Sequence, residues 1–88
     1  MKIKDGFLLR EVAGSYVVVA VGARTKSFNG VIKLNETGAF LWKQMLNASD
    51  KEALVSALTQ EYDVDAKTAE ADVEAFVNTL LEADVLET

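Results

Sequence analysis

Gly30-Val31-Ile32-Lys33-Leu34-Asn35-Glu36-Thr37-Gly38-Ala39-Phe40-Leu41-Trp42 is where the chain changes its hydrophobic period, and it divides the sequence in two. Gly30 to Leu34 is short and apolar around Lys33, the pattern of a strand. Asn35 is a good helix N-cap, because its side-chain oxygen can accept a backbone N–H that the first turn leaves unbonded. Glu36 follows where a negative charge complements the helix dipole. Leu41, Trp42, Met45 and Leu46 then recur at helical spacing. Gly38 costs about 1 kcal/mol relative to Ala inside a helix, which predicts that another backbone approaches closely there.

Upstream of this junction the period is that of strands. Phe7 to Ala13 is apolar and bulky, Gly14-Ser15 is a turn signal, and Tyr16 to Val21 is a β-branched run ending at Gly22. So short a break makes the two strands an antiparallel hairpin. Ala23 to Asn29 is polar and reads as a loop, after which the third strand returns beside the second. Asn29-Gly30 is a turn dipeptide and also fits the tip of a tighter hairpin.

Downstream there are two more helices. Ser49-Asp50-Lys51-Glu52 fits a capping box and precedes an inward face of Leu54, Leu58 and Tyr62 with Ala57 beside them. Asp65 caps a third helix running to about Ala83, with Ala69, Val73, Phe76, Val77, Leu80 and Leu81 as its apolar stripe. Val85-Leu86 is expected to tuck back onto the core. The order is β-β-β-α-α-α, and the last two helices are joined as in a helix-turn-helix. The expected fold is α+β and winged-helix-like, a three-stranded antiparallel sheet packed with a three-helix bundle, in one domain spanning residues 1–88.

Half of the 88 residues are hydrophobic and 26% are charged, a globular composition. Pro, Cys and His are absent. Without Cys there is no disulfide and no thiolate nucleophile. Without Cys or His, zinc loses its preferred ligands and a Ser-His-Asp triad cannot be assembled. A binding module without metal or cofactor is therefore the leading class. No run of 18 apolar residues and no signal-peptide h-region occurs, so no membrane association and a cytoplasmic location are expected.

The net charge of −5 is unevenly placed. Met1 to Leu34 carries six basic residues and two acidic ones, or +4; Asn35 to Thr88 carries three basic and twelve acidic, or −9. Such a split fits an interaction surface, or equally a set of solvated helix faces. Across Asp65 to Asp84 the charge is −5, with Lys67 the one cation. A winged-helix DNA reader would place this helix against phosphates, which draw their partners from Lys and Arg; nucleic acid is therefore disfavoured as a partner.

Two features of the expected sheet bear on function. Its central strand, Tyr16 to Val21, is apolar on both faces, and only one can pack on the helices. The other fits an interface, a homodimer among the readings, or cover by the N-terminal arm. The third strand is an edge whose unpaired N–H and C=O groups can receive another strand, unless it is simply short and solvated.

Gly6 to Val19 and Phe28 to Trp42 together resemble the PqqD family, as do Glu61-Tyr62-Asp63-Val64-Asp65 and Asp72-Val73-Glu74-Ala75-Phe76 with Leu80. The most specific part is Leu34-Asn35, Thr37-Gly38-Ala39 and Trp42. The resemblance covers essentially the whole chain. It implies the fold known as the RiPP recognition element, a non-catalytic domain. Such a domain binds the leader of a ribosomally made precursor peptide and presents it to a modifying enzyme, often a radical SAM protein with a SPASM domain. In the founding case the pathway is PQQ biosynthesis. It further implies that the leader docks as an added strand between the third strand and the third helix.

Carried onto this chain, that places the peptide-binding edge at Val31, Ile32, Lys33 and Leu34. The facing wall is expected at Asp72, Ala75, Phe76 and Thr79, beside the core stripe. Arg24, Lys26 and Lys33 are expected to attract an acidic leader, in which case affinity falls as salt screens the pairs over a Debye length of about 8 Å.

Overall fold

The structure, a computed structural model, describes residues 1–26, 31–47 and 50–87, with the side chains of residues 23 and 24 outside that description. In chain order it runs β1 (Lys2–Ile3), β2 (Phe7–Val12), β3 (Ser15–Ala20), a 3-10 helix (Gly22–Lys26), β4 (Ile32–Leu34), α1 (Glu36–Met45), α2 (Lys51–Glu61), α3 (Ala66–Glu82) and β5 (Leu86–Glu87). The α+β architecture expected from the sequence is present, with its sheet ordered β2-β3-β4.

The β2–β3 hairpin turns at Ala13-Gly14, one residue earlier than the sequence suggests, because Val12 pairs with Ser15. Both turn residues have positive φ, +51° at Ala13 and +79° at Gly14. That backbone matches the right-handed twist of the flanking strands, which is why two-residue hairpins favour it. β3 pairs antiparallel with β2 from Phe7↔Ala20 to Val12↔Ser15 and with β4 from Tyr16↔Leu34 to Val18↔Ile32. Directly opposed residues share a face, so Leu9, Val18 and Ile32 form one row. That row points inward, with Val18 fully buried.

Two expectations change between the second strand and the first helix. The expected loop opens with the 3-10 helix, whose turn is closed by the Thr25 hydroxyl donating to the Gly22 carbonyl at 2.8 Å. The third strand is shorter than Gly30 to Leu34: pairing begins at Ile32, and Val31 is 54% exposed. The Asn29-Gly30 turn lies outside the described residues.

Each helix starts on a side-chain cap. Asn35 Oδ1 accepts from the Gly38 N–H at 2.7 Å, Asp50 Oδ1 from Ala53 at 2.8 Å, and Asp65 Oδ1 from Thr68 at 2.7 Å. The cap of α2 is thus Asp50 rather than the opening residue of the expected box; Ser49 lies outside the described residues. Gly38 also has a different cause from the one expected. A Cβ there would sit 3.0 Å from Asn35 Oδ1 and 3.3 Å from Leu34 Cβ, so what approaches it is the capping side chain and the last strand residue, not another backbone.

The core lies between the inner sheet face and the helices. It contains Trp42 and Met45 from α1, Leu54 and Leu58 from α2, and Ala69, Val73, Phe76, Val77 and Leu80 from α3. Leu81, placed in the α3 stripe by periodicity, is 46% exposed. Phe40 and Tyr62 meet edge to face with centroids 5.5 Å apart. No buried polar or charged residue occurs among the described residues.

The sequence reading misses a second, two-stranded sheet. β1 pairs antiparallel with β5, Lys2↔Glu87 and Ile3↔Leu86, and Lys4 N–H donates to the Val85 carbonyl at 2.8 Å. α3 ends in a Schellman-type turn: Val85 N–H reaches the Leu80 carbonyl at 3.0 Å, Asp84 N–H the Leu81 carbonyl at 3.1 Å, and Asp84 takes a φ of +59°. This turn reverses the chain so that Val85 and Leu86 fold onto the core, as expected, and present an edge to the N-terminal arm.

Candidate functional site

β4 hydrogen-bonds to β3 on one side, leaving its other edge free of any strand among the described residues. α3 runs past that edge, and between them lies a groove of about 220 Å³. Lys33 and Leu34 form its strand wall. Asp72, Ala75, Phe76 and Thr79 form its helical wall, at the i, i+3, i+4, i+7 spacing that puts four residues on one helix face. Leu41 and Phe76, 1% and 6% exposed, make an apolar floor continuous with the core.

Six of the eight residues expected from the sequence therefore line one groove. Ile32 does not: it belongs to the inner row and packs partly buried against the core. Val31 precedes β4 and also lies outside the lining. Phe76 belongs to the core stripe as well as to the groove wall, whereas Ala75 is exposed. The sequence reading missed the start of α1: Asn35, Thr37 and Gly38 close the end of the groove. Asn35 is expected from the sequence as a cap, which it is, and Gly38 as a packing residue, whereas Thr37 carries no expectation of its own. The strand-to-helix junction follows Leu34 without a spacer, and that adjacency is the signal that places the cap in the same site.

The polar groups of the groove differ in how they are engaged. The Thr37 hydroxyl donates to Asn35 Oδ1 at 3.0 Å, and the Thr79 hydroxyl to the Ala75 carbonyl at 2.9 Å. Asp72 is half-buried and its carboxylate has neither hydrogen bond nor ion pair among the described residues; Lys33 is exposed and its ammonium equally unpaired. Of the other cations expected to draw an acidic ligand, Lys26 lies outside the groove lining, and the Arg24 side chain lies outside the described residues. Such a site offers backbone donors and acceptors along one wall, an apolar floor and two charges of opposite sign, which suits an extended peptide segment. No helix among the described residues is long and apolar enough to cross a membrane.

The outer face of the sheet adjoins the groove at Lys33, which belongs to both. Leu8, Val12, Val17 and Val19 lie there with Arg10 and Lys33, by the pairing register. Leu8 is 46% and Val12 57% exposed, so neither is covered by a described element.

Three comparisons with known proteins bear on the chain. The sequence model of the family described as coenzyme PQQ synthesis protein D (PqqD) matches residues 9–86. Among solved structures, the chain is similar to TbiB1 in complex with the TbiA(beta) leader peptide, at 25% identity and a TM-score of 0.76 over 99% of this chain and 95% of that one. It is also similar to lasso peptide synthetase B1 complexed with the leader peptide, at 21% identity and a TM-score of 0.74 over 99% of this chain and 96% of that one; this second likeness bears on the fold alone. No curated protein matches the chain.

Proposed function

Since the chain belongs to the PqqD family, we propose that it is a non-catalytic, cytoplasmic peptide chaperone acting as a single domain. It binds the leader of a ribosomally made precursor by strand addition to β4, and presents that precursor to a modifying enzyme of the radical SAM/SPASM kind. The observation that carries this reading is the groove between the open β4 edge and α3. An added strand there satisfies the edge's backbone groups and lays alternate side chains on the Leu34, Leu41 and Phe76 floor. The leader-peptide complex formed by TbiB1, which is similar in fold and sequence, supports the same reading.

The test is a titration of isotope-labelled protein with the leader of a precursor encoded beside it. Amide shifts should cluster on residues 31–34 and on the face of α3 carrying Ala75 and Thr79. Shifts confined to the Tyr16–Ala20 face would overturn the groove. A second reading, self-association through the outer sheet face, is favoured by the exposure of Leu8 and Val12. A light-scattering mass equal to one chain at high concentration would dismiss it.

A further inference from the structure

The Asp72 carboxylate has no evident use in the fold. Asp72 as a residue is half-buried in the helical wall of the groove, and its carboxylate has no hydrogen-bond or ion-pair partner among the described residues. It is the seventh residue of α3, too far from the helix N-terminus to gain from the dipole, which acts within the first turn. Its neighbours three and four positions away are Thr68, Ala69, Ala75 and Phe76, none of them a cation. Glu74, by contrast, is held by Lys51 at 2.7 Å. A segment laid into the groove would strip more water from Asp72, and a carboxylate dehydrated without a counter-charge opposes binding.

Resting on the groove reading above, we propose that Asp72 makes the site selective for a peptide carrying Lys or Arg two residues from an apolar side chain. The spacing follows from the two walls. Asp72 and Phe76 are four residues apart on α3, or about 6 Å along its axis. Side chains on one face of an extended strand recur every second residue, about 6.6–6.8 Å apart. A strand lying along α3 thus brings one inward side chain over Leu34 and Phe76 and the next against Asp72. The residue between them turns to the outer face, where the register places Lys33 beside Val17. Lys33 therefore does not neutralise Asp72, and no ion pair joins them.

The experiment is selection of a phage-displayed library of random 12-residue peptides on the full chain, its Asp72→Asn variant and its Asp72→Lys variant, all first shown to melt alike. Wild type should enrich Lys or Arg at a fixed offset of two from a large apolar residue. Asp72→Asn should lose that enrichment and bind the wild-type winner about tenfold more weakly, the scale of one charge-assisted hydrogen bond. Asp72→Lys should enrich Asp or Glu at the same offset. If the winners shift amides on β4 and α3 and are blocked by Ala75→Trp, yet show no charge preference that follows residue 72, the Asp72 proposal is wrong while the groove reading stands. If winners bind elsewhere, or none emerge, both are overturned.

Discussion

Asn35 Oδ1 accepts the Gly38 N–H at 2.7 Å, and a Cβ on Gly38 would stand 3.0 Å from that same oxygen. Cap and glycine are thus one device, which starts α1 directly at the end of β4 and closes the groove. Asn35→Ala removes the acceptor and leaves the Gly38 N–H without its partner. It should lower stability by about 1 kcal/mol, a fall in Tm of roughly 4–8 °C for a domain of this size. An unchanged thermal melt would refute the role given to the cap.

The groove wall separates a residue that serves the fold from one that does not. Phe76 is 6% exposed and Ala75 is exposed. Phe76→Ala should cost about 3–5 kcal/mol through the cavity it leaves, so its effect on binding would be obscured by unfolding. Ala75→Trp should leave the melt within about 1 kcal/mol of wild type while filling the groove and abolishing peptide binding in the titration described above. Binding that survives Ala75→Trp would place the peptide elsewhere.

The Ala13-Gly14 turn carries a removable strain. Ala13 holds φ at +51°, a conformation that costs an L residue with a Cβ roughly 1–2 kcal/mol. Asn tolerates it best among the non-glycine residues and is the favoured partner of a following Gly in this turn. Ala13→Asn should therefore raise the unfolding free energy by about 0.5–1 kcal/mol, read as a higher denaturation midpoint at constant slope. A lower midpoint would mean that the hairpin turns elsewhere.

Asp65 couples the start of α3 to acid. Its hydrogen bond from the Thr68 N–H, with that residue's side chain adding to it, holds its carboxyl below the ordinary value of 3.8. A group whose pKa is lower folded than unfolded contributes stability above its unfolded pKa and loses it as pH falls through its folded value. Wild type should therefore lose stability below about pH 4 more steeply than Asp65→Asn, which keeps a capping oxygen and cannot titrate. Parallel melts of the two proteins between pH 5 and 2.5 check this; parallel losses would remove Asp65 from the acid response.

The expectations that held concern neighbours in sequence. Three strands and then three helices follow from a hydrophobic period that changes at Asn35. The caps at Asn35 and Asp65 follow from side-chain oxygens within three residues of the donors they serve. The strand wall at Lys33 and Leu34 and the helical wall from Asp72 to Thr79 were legible because edge and helix face each have a local pattern, together with the PqqD resemblance that joined them.

What required the folded chain is whatever depends on residues meeting from far apart. β1 and β5 are two residues each, too short to carry an alternation, and exist because the turn at Asp84 delivers Leu86 to Ile3. The Ala13-Gly14 turn was missed by one residue because the register is set across β2, β3 and β4 together. Glu74 and Asp72 look alike in the sequence. Only the placement of α2 and β4 against α3 gives Glu74 a lysine and leaves Asp72 facing an open groove, because charge pairing depends on distances that sequence separation does not encode.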